Sequence, residues 1–382
     1  MVNTTIKNGY VSLKCAKMND NSANWKSWQW QIANSVHTID GLNRFLFSRQ
    51  DWPNHIGQVE KIYPLRITPY YLSLINPNDP RDPIALQCIP DERELLNSGL
   101  GDVSEDPLNE NKYMVAPGLI HRYPDRVLLL ASHECAVRCR HCNRKRTWKR
   151  PEAVGGKKYI RAVCDYLERN PRIREVILSG GDPLMLPLEH LEEILWSIKK
   201  IPGIEVIRIG TRVPVTLPMR ITKDLADLLK QYRPLWLNTH FNHPAEITAW
   251  AKEACEKLLF AGIPVSNQTV LLKDVNDDAE ILRVLFTSLQ TMMVRPYYLF
   301  HCDKVTGTDH FRTSIAKGIK IMEQLWCTIG GLCLPKYVVD LPGGGGKAPV
   351  TPSYLLDIDE KEAIFRTFEG KIVRYLSPSG SD

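Results

Sequence analysis

The chain has 382 residues, of which 43% are hydrophobic and 24% charged, a globular composition with enough apolar material for a large core. No stretch approaches the roughly 20 uncharged apolar residues of a membrane span, and residues 1–20 lack the order of a secretory signal, so we expect a cytoplasmic protein without a membrane partner. A net charge of +6 is spread along the chain and favours small anionic ligands about as much as nucleic acid.

The first third of the chain, residues 1–118, is rich in tryptophan and proline and shows little regular period. We predict helices at 23–33 and near 90–97, and we interpret the segment as an irregular, partly helical cap. From residue 126 the pattern changes to short β-branched apolar runs, each followed by an amphipathic stretch of helical length. The runs are 127–131, 175–178, 205–209, 235–238, 265–271 and 294–300.

Strands that alternate with helices predict an α/β protein with a parallel sheet. After the first gap the runs start roughly 30 residues apart, the length of one strand–helix unit, and six regular units without a switch point favour a barrel over a doubly wound sheet. We therefore expect a partial (βα)6-type, TIM-like barrel with an N-terminal helical cap and a C-terminal segment. A seventh short run, 337–340, is expected to begin that segment. The predicted domains are the cap (1–118), the barrel (119–332) and the C-terminal segment (333–382).

Three cysteines follow the first predicted strand with C-x3-C-x2-C spacing: Cys135, Cys139 and Cys142. The remaining cysteines are scattered singly, which predicts reduced thiols rather than disulfides. Three thiolates on one short loop can ligate three irons of a [4Fe-4S] cluster and leave the fourth iron open to an external ligand. A zinc site completed by His133 or His141 is the alternative, although zinc sites prefer paired C-x2-C elements.

A glycine-rich segment, LPGGGGK, ends in Lys347. A nucleotide-phosphate loop would need glycine at position 341 and Ser or Thr after the lysine, whereas this sequence has Leu341 and Ala348. Four glycines let the backbone approach a bulky ligand closely, and a lysine at their end is placed to bond covalently to an aldehyde cofactor such as pyridoxal phosphate. For the segment taken alone, a flexible turn is the alternative.

The cysteine spacing, its position after the first strand and the barrel that follows resemble the radical S-adenosylmethionine (SAM) superfamily. Together with the glycine-rich lysine, they resemble the lysine 2,3-aminomutase family within it. The motifs that carry the resemblance are WKSWQWQ, HRYPDRVLLL, CRHCNRKR, LSGGDPL, NTHFNHPAEIT, SNQTVLL, RPYYLFHCD, HFRTS and VVDLPGGGGK. The resemblance implies an isomerase that interconverts L-lysine and β-lysine by 1,2-amino migration, with a [4Fe-4S] cluster, SAM and pyridoxal 5'-phosphate (PLP) as cofactors.

Several alternatives stay open. Within the family they are an aminomutase for arginine, ornithine or glutamate and a shorter enzyme that supplies β-lysine for modifying a translation elongation factor. Outside it they are a radical SAM enzyme that modifies RNA through the basic stretch at 138–150, and a zinc-stabilised interaction module.

The resemblance also implies roles for individual residues. The residues expected to hold PLP are Lys347, which bonds to the cofactor, and Arg122, Tyr123 and Arg126, which bind its phosphate. The residues expected near SAM are Ser179, Gly180, Gly181 and Asp182, whose small side chains and exposed amides would meet its amino end, with His240 and Gln268 near its adenosyl group. A plain tight turn is the alternative for 179–182. The residues expected to bind the substrate are Arg144, for its carboxylate, and Asp303 and Asp340, for its distal ammonium.

Asp303 and Asp340 decide the substrate. Two buried carboxylates without a cation repel each other and shift toward protonation, so they require a cationic partner and favour lysine over glutamate. A pair of structural aspartates is the alternative interpretation.

One departure from the family concerns assembly. Clostridial members bind zinc between subunits through a C-terminal cysteine group, whereas this sequence has no cysteine after Cys333 and has Asp278 where the partner cysteine would lie. We therefore expect a homo-oligomer without interfacial zinc, a small-molecule amino-acid substrate, an external electron donor and no nucleic-acid partner.

Overall fold

The computed structural model describes residues 24–45, 56–96, 103–148 and 156–378. The α-helices in these ranges are α1 (Trp28–Ala33), α2 (Ile39–Phe45), α3 (Ile56–Ile62), α4 (Pro69–Leu72), α5 (Pro83–Cys88), α6 (Lys157–Glu168), α7 (Leu188–Lys199), α8 (Val213–Thr216), α9 (Lys223–Gln231), α10 (Ala249–Phe260), α11 (Ala279–Thr291) and α12 (Ile315–Thr328). The strands are β1 (Met114–Ala116), β2 (Leu119–Tyr123), β3 (Arg126–Ser132), β4 (Glu175–Gly180), β5 (Val206–Gly210), β6 (Leu235–Thr239), β7 (Val265–Leu271), β8 (Arg295–His301), β9 (Lys336–Leu341), β10 (Gly346–Pro349), β11 (Leu355–Ile358), β12 (Glu362–Arg366) and β13 (Ile372–Leu376).

A ten-stranded sheet forms the centre of the protein, and its strand order follows the chain from β1 to β10. The strands from β3 to β9 pair in parallel with their neighbours. At least one α-helix lies in each connection between them, from α6 after β3 to α12 after β8. This alternation of strand and helix is the architecture of a TIM-like barrel, so the predicted α/β class and the six predicted strands are confirmed.

The run at 337–340 has a different place from the one expected. It belongs to β9, the next parallel strand of the main sheet, which pairs with β8 through Leu299 and Tyr337. The chain then turns back antiparallel in β10, where Lys347 lies opposite Asp340. A run of only four residues before a proline gives no sign of which sheet it joins.

Antiparallel strands extend the sheet at both margins. On one side β2 and β1 follow outward from β3, and on the other β10 follows from β9. Neither β1 nor β10 pairs with a further strand in the described ranges, so the barrel is partial, as expected. A separate three-stranded antiparallel sheet, β11 to β13, follows near the end of the chain.

Local signals explain why the barrel helices form where they do, and α11 is an example. Asp278 caps its first turn, because the carboxylate accepts hydrogen bonds from backbone amides of that turn. Leu282, Leu285 and Leu289 recur at helical spacing and are buried against the sheet. Position 278, considered above for zinc binding, therefore acts as a helix cap.

The N-terminal cap contains more helix than its sequence predicts, with α1 to α5 and a short 3₁₀ turn at Glu92–Leu95 in place of the helix expected near 90–97. Residues 23 and 97 lie outside the described ranges. Its apolar side chains belong to the same core as those of the barrel. Polar contacts join the two as well, since the Thr68 hydroxyl donates to the Thr216 carbonyl at 2.8 Å. None of the described helices is long and apolar enough to cross a membrane.

Candidate active site

The three clustered cysteines lie on the loop after β3, at the carboxyl end of the parallel strands. The cap holds this loop, because the amide of Arg138 donates to the Arg66 carbonyl at 2.9 Å and the amide of Arg140 donates to the Gln87 carbonyl at 2.8 Å. The amide of Cys142 closes a turn on the Cys139 carbonyl at 3.0 Å.

The cysteine thiols suit an iron–sulfur cluster better than a single metal ion. Burial raises the pKa of Cys135 and Cys142, the latter to about 11, and the neighbouring thiolates raise both further. Thiolates that repel each other in this way are stable together when they bind cations. No three His, Cys, Asp or Glu side chains in the described ranges converge closely enough to hold one metal ion. The irons of a cluster are separate atoms, so its ligands need not converge on one point.

The glycine pair after β4 packs against the backbone that enters the cysteine loop. A Cβ on Gly181 would lie 2.6 Å from the carbonyl carbon of His133. The amides of Gly181 and Asp182 donate to the carbonyls of Ser132 and Glu134, at 2.5 and 2.7 Å. The amides of Gly181 and Asp182 are therefore bonded within the protein, and a role of residues 179–182 at the amino end of SAM stays a prediction.

Asp182 joins the loop after β4 to the loop after β5. One carboxylate oxygen accepts from the Leu184 amide at 3.0 Å and the Thr211 hydroxyl at 2.6 Å. The other accepts from the amides of Arg212 and Val213, at 2.7 and 3.1 Å. Burial raises the pKa of Asp182, and these hydrogen bonds oppose the shift. With both oxygens engaged, Asp182 ties the loop after β4 to the loop after β5.

His240 directly follows β6, with its ring 5.6 Å from the His141 ring of the cysteine loop, and Gln268 lies in the neighbouring strand β7. The Nε2 atom of His240 is buried and has no hydrogen-bond partner among the described residues. Burial and the charge of Arg212 lower the His240 pKa to about 3, so the ring is neutral and can bond a ligand through this nitrogen. Gln268 is partly buried in β7. The expectation that both residues lie near the adenosyl group of SAM stays a prediction.

The predicted PLP residues meet where β2 faces β10, which we call the seam. The backbone amide of Lys347 donates to the Tyr123 hydroxyl at 3.1 Å. A Cβ on Gly346 would lie 3.6 Å from the Arg122 Nη2 atom, which is buried without a partner among the described residues. The Arg126 guanidinium lies 4.0 Å from the centre of the Tyr123 ring. A buried, unpaired guanidinium nitrogen beside a glycine-rich backbone fits a phosphate group.

Tyr113 is a further residue of the seam that sequence reasoning missed. The Arg122 guanidinium lies 5.9 Å from the centre of its ring, and a Cβ on Gly344 would lie 2.6 Å from the ring edge. Gly344 has a φ of +86°, so both its conformation and its contact with Tyr113 require glycine.

Lys347 and the two predicted substrate aspartates also lie together. The Lys347 Nζ atom is 2.9 Å from both carboxylate oxygens of Asp340 and 5.1 Å from the centre of the Phe300 ring. Burial and the charge of Asp340 raise the pKa of Asp303 to about 6, while Asn143, which donates to Asp303 at 3.1 Å, and Lys347 lower it. The primary ammonium of Lys347 therefore already interacts with the charges of both carboxylates.

Comparison with known proteins identifies the family. Family models match at residues 129–285, for the Radical SAM superfamily, and at residues 322–381, for Lysine-2,3-aminomutase. The L-lysine 2,3-aminomutase of Clostridium subterminale is 46% identical to this chain over 93% of the chain and 85% of that enzyme. The chain belongs to the lysine 2,3-aminomutase family. Its predicted class, an isomerase, and the three cofactors of the family are thereby confirmed.

Other members of the lysine 2,3-aminomutase family are similar over nearly the same range. The L-lysine 2,3-aminomutase of Methanococcus maripaludis is 45% identical over 95% of this chain and 84% of that enzyme. The glutamate 2,3-aminomutase of Clostridioides difficile is 40% identical over 94% of this chain and 84% of that enzyme. Among solved structures, a radical SAM methyltransferase from Sphaerobacter thermophilus covers 58% of this chain and 68% of its own, with 16% identity and a TM-score of 0.44.

Glu110 is a second residue that sequence reasoning missed, and it holds the arginine expected to bind the substrate carboxylate. The Arg144 Nη2 atom donates to Glu110 at 2.7 Å, and its Nη1 atom donates to the Ser179 hydroxyl at 3.3 Å. Arg146 donates to the other Glu110 oxygen at 2.6 Å. Although burial alone would raise the pKa of Glu110, the two arginines lower it to about 2. Glu110 is thus ionised and fixes Arg144 beside the predicted SAM residues.

Glu94 of the cap anchors the cysteine loop through a buried ionic cluster. Its carboxylate accepts from Arg140 and from Lys145, each at 2.6 Å, and all three side chains are at most 1% exposed. Lys145 also donates to the Gly307 carbonyl at 2.8 Å. Arg140 and Lys145 lie on either side of Cys142 in sequence, so this ionic cluster fixes the cysteine loop against the cap.

We expect Glu94→Ala to lower the free energy of unfolding by about 3–5 kcal/mol, because it leaves two buried cations without their carboxylate. The measurement is chemical denaturation of the full chain. Glu92→Ala, an exposed substitution two residues away, is the control and should change the value by no more than about 0.5 kcal/mol. Equal stability of the two variants would contradict a role for Glu94 in anchoring the loop.

Much of the basic stretch at 138–150, considered above for RNA binding, is paired with carboxylates within the protein. The side chains paired with Glu94 or Glu110 are Arg140, Arg144, Lys145 and Arg146. Residues 149 and 150 lie outside the described ranges. Because these cations are directed to carboxylates inside the protein rather than forming an exposed basic surface, this alternative loses its support.

Proposed function

We propose that the protein interconverts L-lysine and β-lysine by 1,2-amino migration. The observation that carries the proposal is the pair of carboxylates, Asp303 and Asp340, with the Lys347 ammonium hydrogen-bonded to Asp340 and its charge lowering the pKa of Asp303. A site that already accommodates one primary ammonium suits the distal ammonium of lysine, whereas the side-chain carboxylate of glutamate would be repelled. The negative charge of this site therefore distinguishes between the two activities named among its relatives, and favours lysine aminomutase over glutamate aminomutase.

The opposite end of the substrate is assigned to Arg144. Its guanidinium donates hydrogen bonds to Glu110 and, through Nη1, to the Ser179 hydroxyl. These contacts hold the guanidinium in a fixed orientation toward the reacting region. Arginine pairs with carboxylates through two parallel hydrogen bonds. Binding at both charged ends holds the α- and β-carbons in one place and keeps water from the reacting atoms.

The remaining site residues hold the cofactors. When bound, SAM on the cluster supplies a carbon radical that abstracts hydrogen, and PLP supplies a conjugated ring that stabilises an unpaired electron. Cys135, Cys139 and Cys142 would ligate the cluster. The residues proposed around SAM are Ser179, Gly180, Gly181, Asp182, His240 and Gln268, with Asp182 and both glycines acting through the loop backbone. The residues proposed around PLP are Lys347, Arg122, Tyr123 and Arg126, which line the seam.

We also propose the cellular setting that the sequence favours. The enzyme would work in the cytoplasm, take electrons from an external donor and form a homo-oligomer without interfacial zinc. The division into cap, barrel and C-terminal segment is retained as a proposal, with β9 assigned to the main sheet.

The proposal is tested by following L-lysine in an anaerobic reaction. The reconstituted protein is supplied with SAM, PLP and a reductant, and the products are separated by chromatography. We expect β-lysine to accumulate, with glutamate left unchanged in a parallel reaction. Cleavage of SAM without conversion of lysine would contradict the substrate assignment and direct the same assay to arginine and ornithine.

A further inference from the structure

Arg212, which follows β5, contacts one of the clustered cysteines directly. Its Nη1 atom lies 2.7 Å from the Sγ atom of Cys139, and its side chain is only 8% exposed. This contact joins a side chain from one barrel loop to a sulfur on another. No motif noted in the sequence includes Arg212.

The rest of the Arg212 guanidinium is held by the protein. Its Nη2 atom donates to Glu246 and Gln87, each at 2.6 Å, and to the Tyr71 hydroxyl at 3.1 Å. Its Nε atom donates to the His240 carbonyl at 3.1 Å. Contacts from the cap and from the loop after β6 therefore fix the plane of the guanidinium and direct Nη1 toward the sulfur.

Glu246 already balances the positive charge of Arg212. The Glu246 side chain is fully buried, and its second oxygen accepts from the amides of Asn242 and His243, at 2.6 and 3.0 Å. The pair is therefore an internal ion pair whose partners are satisfied without a cluster. Arg212 therefore donates a hydrogen bond to Cys139 from a guanidinium whose orientation the protein already fixes.

We propose that Arg212 is a positioning residue that makes the iron–sulfur cluster easier to reduce by donating a hydrogen bond to Cys139. On reduction the cluster accepts one electron from a low-potential one-electron donor, and no bond in the protein forms or breaks. The added negative charge is shared with the thiolate sulfurs, so a donor aimed at one of them stabilises the reduced form. The inference rests on the proposed function only in requiring that the three cysteines ligate a cluster.

The test is a redox titration of the cluster in the full chain without an amino-acid substrate. Wild-type protein and Arg212→Lys are reconstituted anaerobically, assayed for iron and sulfide, and titrated with dithionite while the reduced cluster is followed by electron paramagnetic resonance. Lysine can pair with Glu246 but is too short and lacks the fork to reach the sulfur as well. We expect the ratio of reduced to oxidised cluster at a given potential to fall about tenfold, a shift of ~59 mV for one electron.

Arg220→Lys is the matched control. Arg220 is also buried, but it donates to the Leu186 carbonyl at 2.9 Å and stacks on Trp28. Its midpoint potential should equal that of the wild type. A full cluster in Arg212→Lys with an unchanged midpoint would overturn the proposal.

A second variant decides the case in which Arg212→Lys does not assemble a cluster. Glu246→Gln keeps the guanidinium and removes the balancing negative charge, so the midpoint should rise instead of fall. An unchanged or lowered midpoint in Glu246→Gln would overturn the proposal. Because lysine is not present in the titration, a wrong substrate assignment leaves the result unaffected, whereas a wild-type protein without any cluster would sink both proposals.

Discussion

Replacement of either substrate aspartate, Asp303→Ala or Asp340→Ala, is expected to lower kcat/KM for L-lysine about a hundredfold to a thousandfold. Each carboxylate faces the place where the distal ammonium would bind, and removing one partner of a desolvated charge pair costs about 2–5 kcal/mol, with roughly 1.4 kcal/mol for each factor of ten. The measurement is steady-state turnover of lysine under anaerobic conditions, with iron and sulfide assayed in the same samples. Cluster content should match the wild type in both variants.

A matched control separates this effect from the general cost of losing an aspartate. Asp277→Ala removes a carboxylate that pairs with Lys317 at the surface of the barrel, so lysine turnover should stay near the wild-type value. If the Asp303 and Asp340 variants both kept full lysine turnover, the two aspartates would be structural and the choice of lysine would lose its main support.

The barrel could be predicted from the sequence because its strands are short apolar runs at regular intervals. This pattern is local, so it can be seen without the folded structure. It also predicted which residues would meet, since parallel strands bring their carboxyl ends to one edge. The cysteine loop after β3, His240 after β6 and Asp303 after β8 all lie at that edge. The seam was not predictable in the same way, because the approach of Tyr123 to Lys347 depends on how β2 and β10 extend the sheet, and neither strand was expected.

The residues that sequence reasoning missed share a physical cause. Glu94 and Glu110 lie in short 3₁₀ turns of the cap, where an isolated glutamate is most often exposed. Their partners, Arg140 and Arg144, are 46 and 34 positions away, so the pairing appears only in the folded chain. Arg212 is similar, since the cysteine that it contacts lies 73 positions earlier.

Asp182 shows that a motif does not reveal the contacts that its carboxylate makes. Its sequence neighbours, two glycines after a strand, indicate a turn near a ligand. The carboxylate is nevertheless occupied by hydrogen-bond donors, two of which are amides from the loop after β5. Backbone donors are present at every position of a sequence, so nothing in the pattern reveals which of them a carboxylate will capture.

Lys347→Ala is expected to abolish covalent attachment of PLP and to lower lysine turnover by more than about a thousandfold. In the proposed site the lysine amine forms the bond to the cofactor aldehyde, and Lys347 is the lysine whose backbone amide contacts Tyr123. Removing it also takes away a positive charge that lowers the pKa of Asp303, so the two aspartates would face each other with less compensation. The measurement is borohydride trapping followed by mass spectrometry of the peptide that contains residues 341–347.

Lys336→Ala, at the exposed start of β9, the strand that pairs with β10, is the control for Lys347→Ala. It should keep the trapped cofactor and the turnover of the wild type, because Lys336 lies at the opposite end of β9 from the seam. Iron content should be unchanged in both variants, since neither lysine contacts the cysteine loop. Cofactor trapped on a different lysine of an active Lys347→Ala protein would contradict the assignment and move the PLP site away from the seam, and with it the reason for placing the substrate between Arg144 and the two aspartates.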